Sequence, residues 1–228
     1  MGTVFSFVIA DEGVWDNALA EAVAWLHLAD ATFSTYRDDS AISRLRRGEQ
    51  VTDPLVSEVL DLSARFAVWT EGTFSVHLPG GLDPSGLVKG WAVERASKIL
   101  REHGSGNHAV NGGGDVQCAG DASPGRRWRI GVTDPFDRSK LLTTVEAGDL
   151  AVATSGTSER GLHLIDPRTG RPASGLASAT VMGPSLTEVD VAATAAFVLA
   201  EQAPAWLGQA GLSAILVGLN GVVTRVGK

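Results

Sequence analysis

The sequence predicts an α+β fold of mixed and antiparallel strands with interspersed helices. Three observations carry this. The apolar pattern switches irregularly between strand-like alternation and helical spacing, without the regular β-α-β order of a doubly wound sheet. The middle of the chain, from His108 to Met182, reads as a succession of short strands punctuated by Gly, Pro and Asp. The chain then closes on Asn220-Gly221 between apolar runs, the pair that favours a type I′ hairpin turn.

The elements follow in order. Residues 3–10 alternate apolar and polar and predict a strand. Trp15 to about Ala31 is helical, with Ala18, Leu19, Ala22, Val23 and Leu26 on one face. Asp53-Pro54 starts a second helix, since Asp caps and Pro suits the first turn; Gly72 ends it. Residues 72–86 read as a Gly- and Pro-rich loop. A third helix runs from Lys89 to about His103, with Trp91, Ala92, Ala96, Ile99 and Leu100 inward and Gly104 as its stop. Short strands are expected over residues 108–110, 115–119, 128–133, 143–146, 150–153, 162–165 and 179–182. Helices over 188–201 and 203–210 follow, then the hairpin of Ile215-Leu216-Val217 and Val222-Val223.

At 228 residues without repeat or linker, residues 1–228 read as one domain with a sizeable core. There are 19 basic against 26 acidic residues, a net charge of −7, and no basic run longer than Arg46-Arg47 or Arg126-Arg127. That excludes a nucleic-acid or anionic-membrane partner, because both need a basic face. A phosphate-bearing ligand would have to be held locally, by backbone amides, a few cations or a metal. The lone Cys118 excludes an internal disulfide and a multi-cysteine metal site. No apolar stretch approaches a membrane span. Met1-Gly2-Thr3 enters the first strand with no signal-peptide features, so the chain as written is expected to be cytoplasmic, or extracytoplasmic if a leader has been removed.

Several loops carry polar groups suited to an anion. His163-Leu164-Ile165-Asp166-Pro167-Arg168-Thr169-Gly170 places an imidazole, a carboxylate and a guanidinium at a strand end, where Pro and Gly turn the chain; a lone histidine there is equally a structural one. Asn111-Gly112-Gly113-Gly114-Asp115 lets backbone N–H groups converge on a ligand, or is a tight turn in which Asn and Asp bond their own backbone. Leu82 to Gly90 leads into a helix whose free N–H groups and Lys89 attract phosphate, or is an ordinary capped start; the Gly spacing is not that of a Walker P-loop. Thr154-Ser155-Gly156-Thr157-Ser158 offers hydroxyls, or is a solvated loop. Asp190 and Thr194, four apart, share a helix face and are hard oxygen donors suited to Mg²⁺; alternatively Thr187 and Asp190 form a capping pair and Thr194 bonds its own backbone. Tyr36, the only tyrosine, sits beside a turn, where it can stack on a planar ligand or cover a helix end.

The order of these motifs resembles the ApbE family, the FAD:protein FMN transferases. Met1-Gly2-Thr3, Ser34-Thr35-Tyr36 with Ser40, Gly86 to Glu94, Asn111 to Asp115, Thr154-Ser155-Gly156, His163 to Gly170 and Asp190 to Ala195 occur in family order across essentially the whole chain. The resemblance implies an enzyme that binds FAD, uses Mg²⁺, and attaches FMN through a phosphoester to a Thr or Ser of an acceptor flavoprotein, releasing AMP. It implies Asp190, Thr194 and the carbonyl of Val88 as metal ligands and His163 as the base. Asp166, three residues on, is placed by the sequence to orient that imidazole, a role the resemblance does not itself imply. Tyr36 would pack on the isoalloxazine; Met1, Lys89, Gly113, Asp115, Thr154 and Ser155 would line the FAD site. The chain departs from the family pattern at Val88 (usually Ala), at Glu94 (usually Asp), in the short segment after Thr73-Phe74, and in lacking the usual leader. An FAD pyrophosphatase giving FMN and AMP, or a non-catalytic FAD-binding protein, are the alternative activities.

Overall fold

The computed structural model describes residues 2–157 and 164–227. Along the chain come β1 (Phe5–Ile9), α1 (Asp16–Phe33), α2 (Ala41–Arg46), α3 (Pro54–Trp69), the small pair β2 (His77–Leu78) and β3 (Gly81–Leu82), then α4 (Ser85–Glu102). Next are β4 (His108–Gly112), β5 (Asp115–Ala119), β6 (Trp128–Asp134), β7 (Asp137–Ala147), β8 (Ala151–Gly156), β9 (Ile165–Asp166), β10 (Arg171–Pro172) and β11 (Leu176–Gly183). The last elements are α5 (Leu186–Leu199), α6 (Ala203–Gln209), β12 (Ser213–Gly218) and β13 (Val223–Val226).

Seven strands form one antiparallel sheet in the order β1-β4-β5-β8-β11-β12-β13. Strand alternation sends Val110, Ala151, Ala153, Ala179, Val181, Ala214 and Leu216 to one face, where they join the core built with α1, α4 and α5. The intervening residues Ala109, Val116 and Cys118 point the other way, under the β6–β7 ribbon and its Trp128. The Trp128 indole donates to the Ala119 carbonyl at 2.9 Å, which ties the ribbon to β5. The same alternation turns Asp115 and Gln117 of β5, and Ser155 of β8, toward the helices.

Helix α5 is the central one. It is apolar nearly all round, as a helix buried between a sheet and another helix must be. Asp190 is buried at 3% exposure on this apolar helix, and a buried carboxylate there needs a partner or a function. Helix α1 is fixed to α4 by aromatic edges: Trp25 to Trp91 at 4.9 Å and Phe33 to Trp91 at 5.6 Å between ring centroids. This brings the turn after α1, which carries Tyr36, beside the start of α4.

The α+β class, the first strand, the main helices and the terminal hairpin agree with the sequence reading, but the hairpin turn is not type I′: Gly221 has φ 79° while Asn220 does not have a positive φ, and the Gly221 N–H donates to the Gly218 carbonyl at 2.9 Å. Other elements differ for physical reasons. Helix α4 begins at Ser85 rather than Lys89, because Asp83 Oδ1 accepts the Ser85 N–H at 3.0 Å and the Pro84 carbonyl accepts from Leu87 and Val88. Thr154-Ser155-Gly156 is strand, not loop: β8 is flanked by β5 and β11, so pairing extends its ladder through the hydroxyl residues. Residues 72–86 contain the β2–β3 hairpin, and the short helix α2 follows Ser40, whose hydroxyl accepts the Ser43 N–H at 3.1 Å. Helix α5 starts at Leu186, capped by Ser185, with Glu188 three residues on; the capping pair is therefore Ser185/Glu188 and not Thr187/Asp190. Among the described residues no helix is long and apolar enough to cross a membrane.

Candidate functional site

A cavity of about 390 Å³ opens where the start of α4, the ends of β8 and β4, the turn after α1 and α5 converge. Of the residues singled out in the sequence, Tyr36, Val88, Lys89, Gly113, Thr154, Ser155, Asp190 and Thr194 all line it. Asp115 stands just behind: its Oδ1 accepts the Thr154 N–H at 2.9 Å and its Oδ2 is ion-paired with Lys89. Met1 and His163 lie outside the described residues. Leu164, Ile165 and Pro167, which follow His163, are cavity lining.

Each polar group is positioned by a nameable local cause. Asp190 and Thr194 lie one turn apart on α5. Asp190 Oδ2 accepts the Gly90 N–H at 3.0 Å, and its Oδ1 is 3.7 Å from the Lys89 ammonium. Thr194 Oγ1 is hydrogen-bonded to Ser155 Oγ at 3.2 Å, so this hydroxyl faces the sheet side of the cavity rather than only its own helix backbone. Thr154 Oγ1 pairs with Thr180 Oγ1 at 2.9 Å across β8 and β11. Gly113 has a left-handed φ of 63°, and a Cβ there would meet Thr3 Oγ1 at 2.5 Å; glycine is required by both counts. The Gly113 N–H donates to the Val4 carbonyl at 3.1 Å, while the Gly114 N–H goes to Asn111 Oδ1 at 2.9 Å. Much of the glycine run is therefore turn chemistry, with Gly113 at the cavity wall.

The ring of Tyr36 is 79% exposed and reaches the cavity, so it does not serve to cover the end of α1. The loop that presents it is closed by Ser40, whose hydroxyl donates to the Ser34 carbonyl at 2.8 Å while capping α2. Thr73, Phe74 and Ser75 also line the cavity, at the start of the short segment that departs from the family pattern.

Asp166 is paired with Arg168. Its two oxygens accept the Arg168 side chain at 3.0 and 2.9 Å, and Oδ1 also accepts the Arg168 N–H at 2.9 Å. The Arg168 side chain thereby holds the Asp166 carboxyl below the usual carboxylate range. Residues 165–172 form the β9–β10 hairpin, whose turn closes with the Gly170 N–H donating to the Asp166 carbonyl at 2.8 Å and Gly170 at φ 69°.

Two residues that sequence reasoning did not weigh as supports hold α5 in place. Glu94 Oε2 on α4 accepts from Ser185 Oγ, Thr187 N and Thr187 Oγ1 at 2.7, 2.8 and 2.6 Å. Gln117 Oε1 on β5 accepts the Leu186 N–H at 3.0 Å. The first-turn N–H groups of α5 are thus satisfied by its neighbours, which fixes the helix axially and so fixes Asp190. The Ser-x-x-Glu run at Ser185 was the readable signal for that start.

The donor set tests whether a divalent cation fits. Asp190 supplies a carboxylate and Thr194 a hydroxyl. Val88 sits in the first turn of α4 at the cavity, and a helical carbonyl keeps a second lone pair. One carboxylate, one hydroxyl and one carbonyl form a hard oxygen set, and Mg²⁺ commonly takes one or two carboxylates together with substrate phosphates and water. Among the described residues no cluster of three or more His, Cys, Asp or Glu side chains forms a metal site. That excludes there a Zn-type cage of such side chains and is consistent with a sparse oxygen site.

Comparisons with known proteins bear on this geometry. A family model described as the ApbE family matches residues 1–79 and 77–216. An FAD:protein FMN transferase of Rhodobacter capsulatus is 32% identical over 217 residues, 90% of this chain and 39% of that protein. One of Vibrio cholerae is 34% identical over 131 residues, 53% of this chain and 39% of that protein. The chain thus spans 39% of the length of both relatives. Among solved structures, flavin transferase ApbE from Vibrio cholerae superposes with a TM-score of 0.86 at 23% identity, covering 99% of this chain and 93% of that one. The ApbE protein of Thermotoga maritima gives 0.87 at 22% identity, covering 99% and 94%. At those identities the likeness is one of fold.

Proposed function

From the premise that this chain belongs to the ApbE family, we propose that it transfers FMN from FAD to a Thr or Ser hydroxyl of an acceptor protein, releasing AMP. The observation that carries the proposal is the convergence of Tyr36, Lys89, Thr154, Ser155, Asp190 and Thr194 on one cavity, from the turn after α1, from α4, from β8 and from α5.

The residues divide the work. Tyr36 offers an exposed aromatic face to the isoalloxazine. Lys89, with Thr154 and Ser155, meets the pyrophosphate. Asp190, Thr194 and the Val88 carbonyl hold Mg²⁺, which when bound neutralises the pyrophosphate oxygens and keeps them aligned. His163 takes the proton from the incoming hydroxyl. The acceptor oxygen forms a bond to the FMN phosphorus as the bond from that phosphorus to the bridging oxygen breaks, and AMP leaves with the bridging oxygen. The protein thus contributes alignment and charge neutralisation more than covalent chemistry. Water in place of the acceptor hydroxyl would give FMN and AMP instead.

The test is incubation with FAD and Mg²⁺, with and without an acceptor domain carrying a target Thr. Covalently fluorescent acceptor on a denaturing gel supports transfer. Free FMN alone means hydrolysis, and unchanged FAD means binding only. His163→Ala is expected to abolish transfer while retaining FAD binding; transfer at the normal rate would remove His163 from the mechanism.

A further inference from the structure

Two buried carboxylates, Asp115 on β5 and Asp190 on α5, meet one ammonium, that of Lys89 on α4. Lys89 is in contact with Asp115 and stands 3.7 Å from Asp190 Oδ1; the side chains of the two acids are only 2% and 4% exposed. Buried ionised carboxylates need a counter-charge. The Lys89 side chain keeps 24% exposure toward the cavity, and lysine is a flexible, three-donor point charge that can be re-aimed. Asp190 cannot swing away from it, because Oδ2 is fixed by the N–H of Gly90, the next residue of the same helix turn.

We propose that Lys89 is a built-in counterion that stands in for the divalent cation and yields when a pyrophosphate arrives, so that metal and dinucleotide binding are coupled through this one side chain. The inference rests on reading Asp190 and Thr194 as metal ligands. A divalent cation on Asp190 Oδ1 brings like charge against the ammonium. Without a phosphate, the ammonium is held by the two carboxylates, and the metal must compete with it. With a pyrophosphate in the cavity, Lys89 gains an anionic partner of its own and releases Asp190. By linkage, each ligand then favours the other. A lysine that merely shaped the pocket would predict the reverse sign: neutralising it would weaken metal binding or leave it unchanged.

The test uses the whole protein and Mn²⁺ alone, without flavin, titrated by electron paramagnetic resonance of the free ion. Lys89→Gln is expected to bind Mn²⁺ about tenfold tighter than the wild type, within the usual range of coupling between sites. Lys89→Arg, which keeps the charge, should remain near the wild type, and Asp190→Ala should lose binding. Thermal unfolding checks that each variant is folded; if Lys89→Gln is not, Lys89→Met serves, since it keeps the apolar stem. Equal or weaker Mn²⁺ binding by the neutral variants, with Asp190→Ala still defective, overturns the counterion role. Unchanged binding in Asp190→Ala removes the metal site itself.

Discussion

Gly90 of α4 donates its backbone N–H to the Asp190 carboxylate of α5 at 3.0 Å, and the two helices touch at this point without a side chain between them. A methyl group at Gly90 would stand 2.7 Å from the Leu186 carbonyl oxygen and 2.9 Å from Asp190 Cβ. One of those contacts is backbone, so it cannot be relieved by rotating a side chain. Gly90→Ala should therefore force α4 and α5 apart, cost about 1–3 kcal/mol as an overpacking change, and shift Asp190 from its place. Urea unfolding reads the first effect. Mn²⁺ titration of the folded variant reads the second, and unchanged affinity would show that Asp190 does not depend on this contact.

Glu94 holds the same N-terminal end of this helix. Three donors from Ser185 and Thr187 converge on one of its oxygens, and the carboxylate also lies at the positive end of α5. Glu94→Ala leaves these donors without their acceptor and should cost about 1–3 kcal/mol. Glu94→Gln, which retains an acceptor but not the charge, should cost less. Equal losses in urea midpoints for the two variants would show that charge, not hydrogen bonding, fixes α5.

Tyr36 gives the opposite pattern. At 79% exposure its ring contributes little to folding, so Tyr36→Ala should leave the unfolding midpoint within about 0.5 kcal/mol of the wild type. If it packs on the isoalloxazine, FAD affinity should fall about tenfold, the scale of a lost aromatic pair. Flavin fluorescence titration decides it; unaltered affinity assigns the stacking to another wall of the cavity, with Phe74 the next candidate.

Much of this arrangement was legible in the sequence, for reasons that differ by residue. Asp190 and Thr194 announce themselves as polar residues four apart in an otherwise apolar helical run, and that signal is local. Lys89 and Asp115 do not. Nothing in the pattern around either predicts their ion pair, which depends on α4 crossing the helix-facing side of β5. Thr154 and Ser155 read as loop because hydroxyl residues favour turns locally, while pairing with β11 draws them into the sheet. The pairing of Asp166 with Arg168, two residues on, is a hairpin contact that closeness to His163 in the sequence does not announce.

Cys118 lies on the sheet face under the β6–β7 ribbon, fully buried, and burial pushes its thiol up to about 12. The thiolate is the reactive form, so the folded protein should not react with a disulfide reagent at pH 7–8. One equivalent should appear only when urea unfolds the chain. Rapid reaction of the native protein would mean that the ribbon opens readily from β5.

His108 supplies a pH test of stability remote from the cavity. It is wholly buried at the end of β4, with Ser97 Oγ 2.8 Å from Nε2 and Ser105 Oγ 2.9 Å from Nδ1. Burial first, and the nearby Arg101 charge second, lower its pKa to about 4, against partial compensation from Asp11. An unfolded histidine titrates near 6.5. Between those values the unfolded chain binds a proton that the native state refuses, so unfolding gains free energy as the pH falls. Stability from this group is therefore complete above about pH 6.5, declines on acidification, and stops declining near pH 4. The total is about 3 kcal/mol for a shift of that size. Urea midpoints measured from pH 7.5 down to 4 should trace this fall. His108→Gln should be less stable at pH 7.5 yet show a flatter dependence over the same window. If the two proteins lose stability in parallel, groups other than His108 set the acid limb.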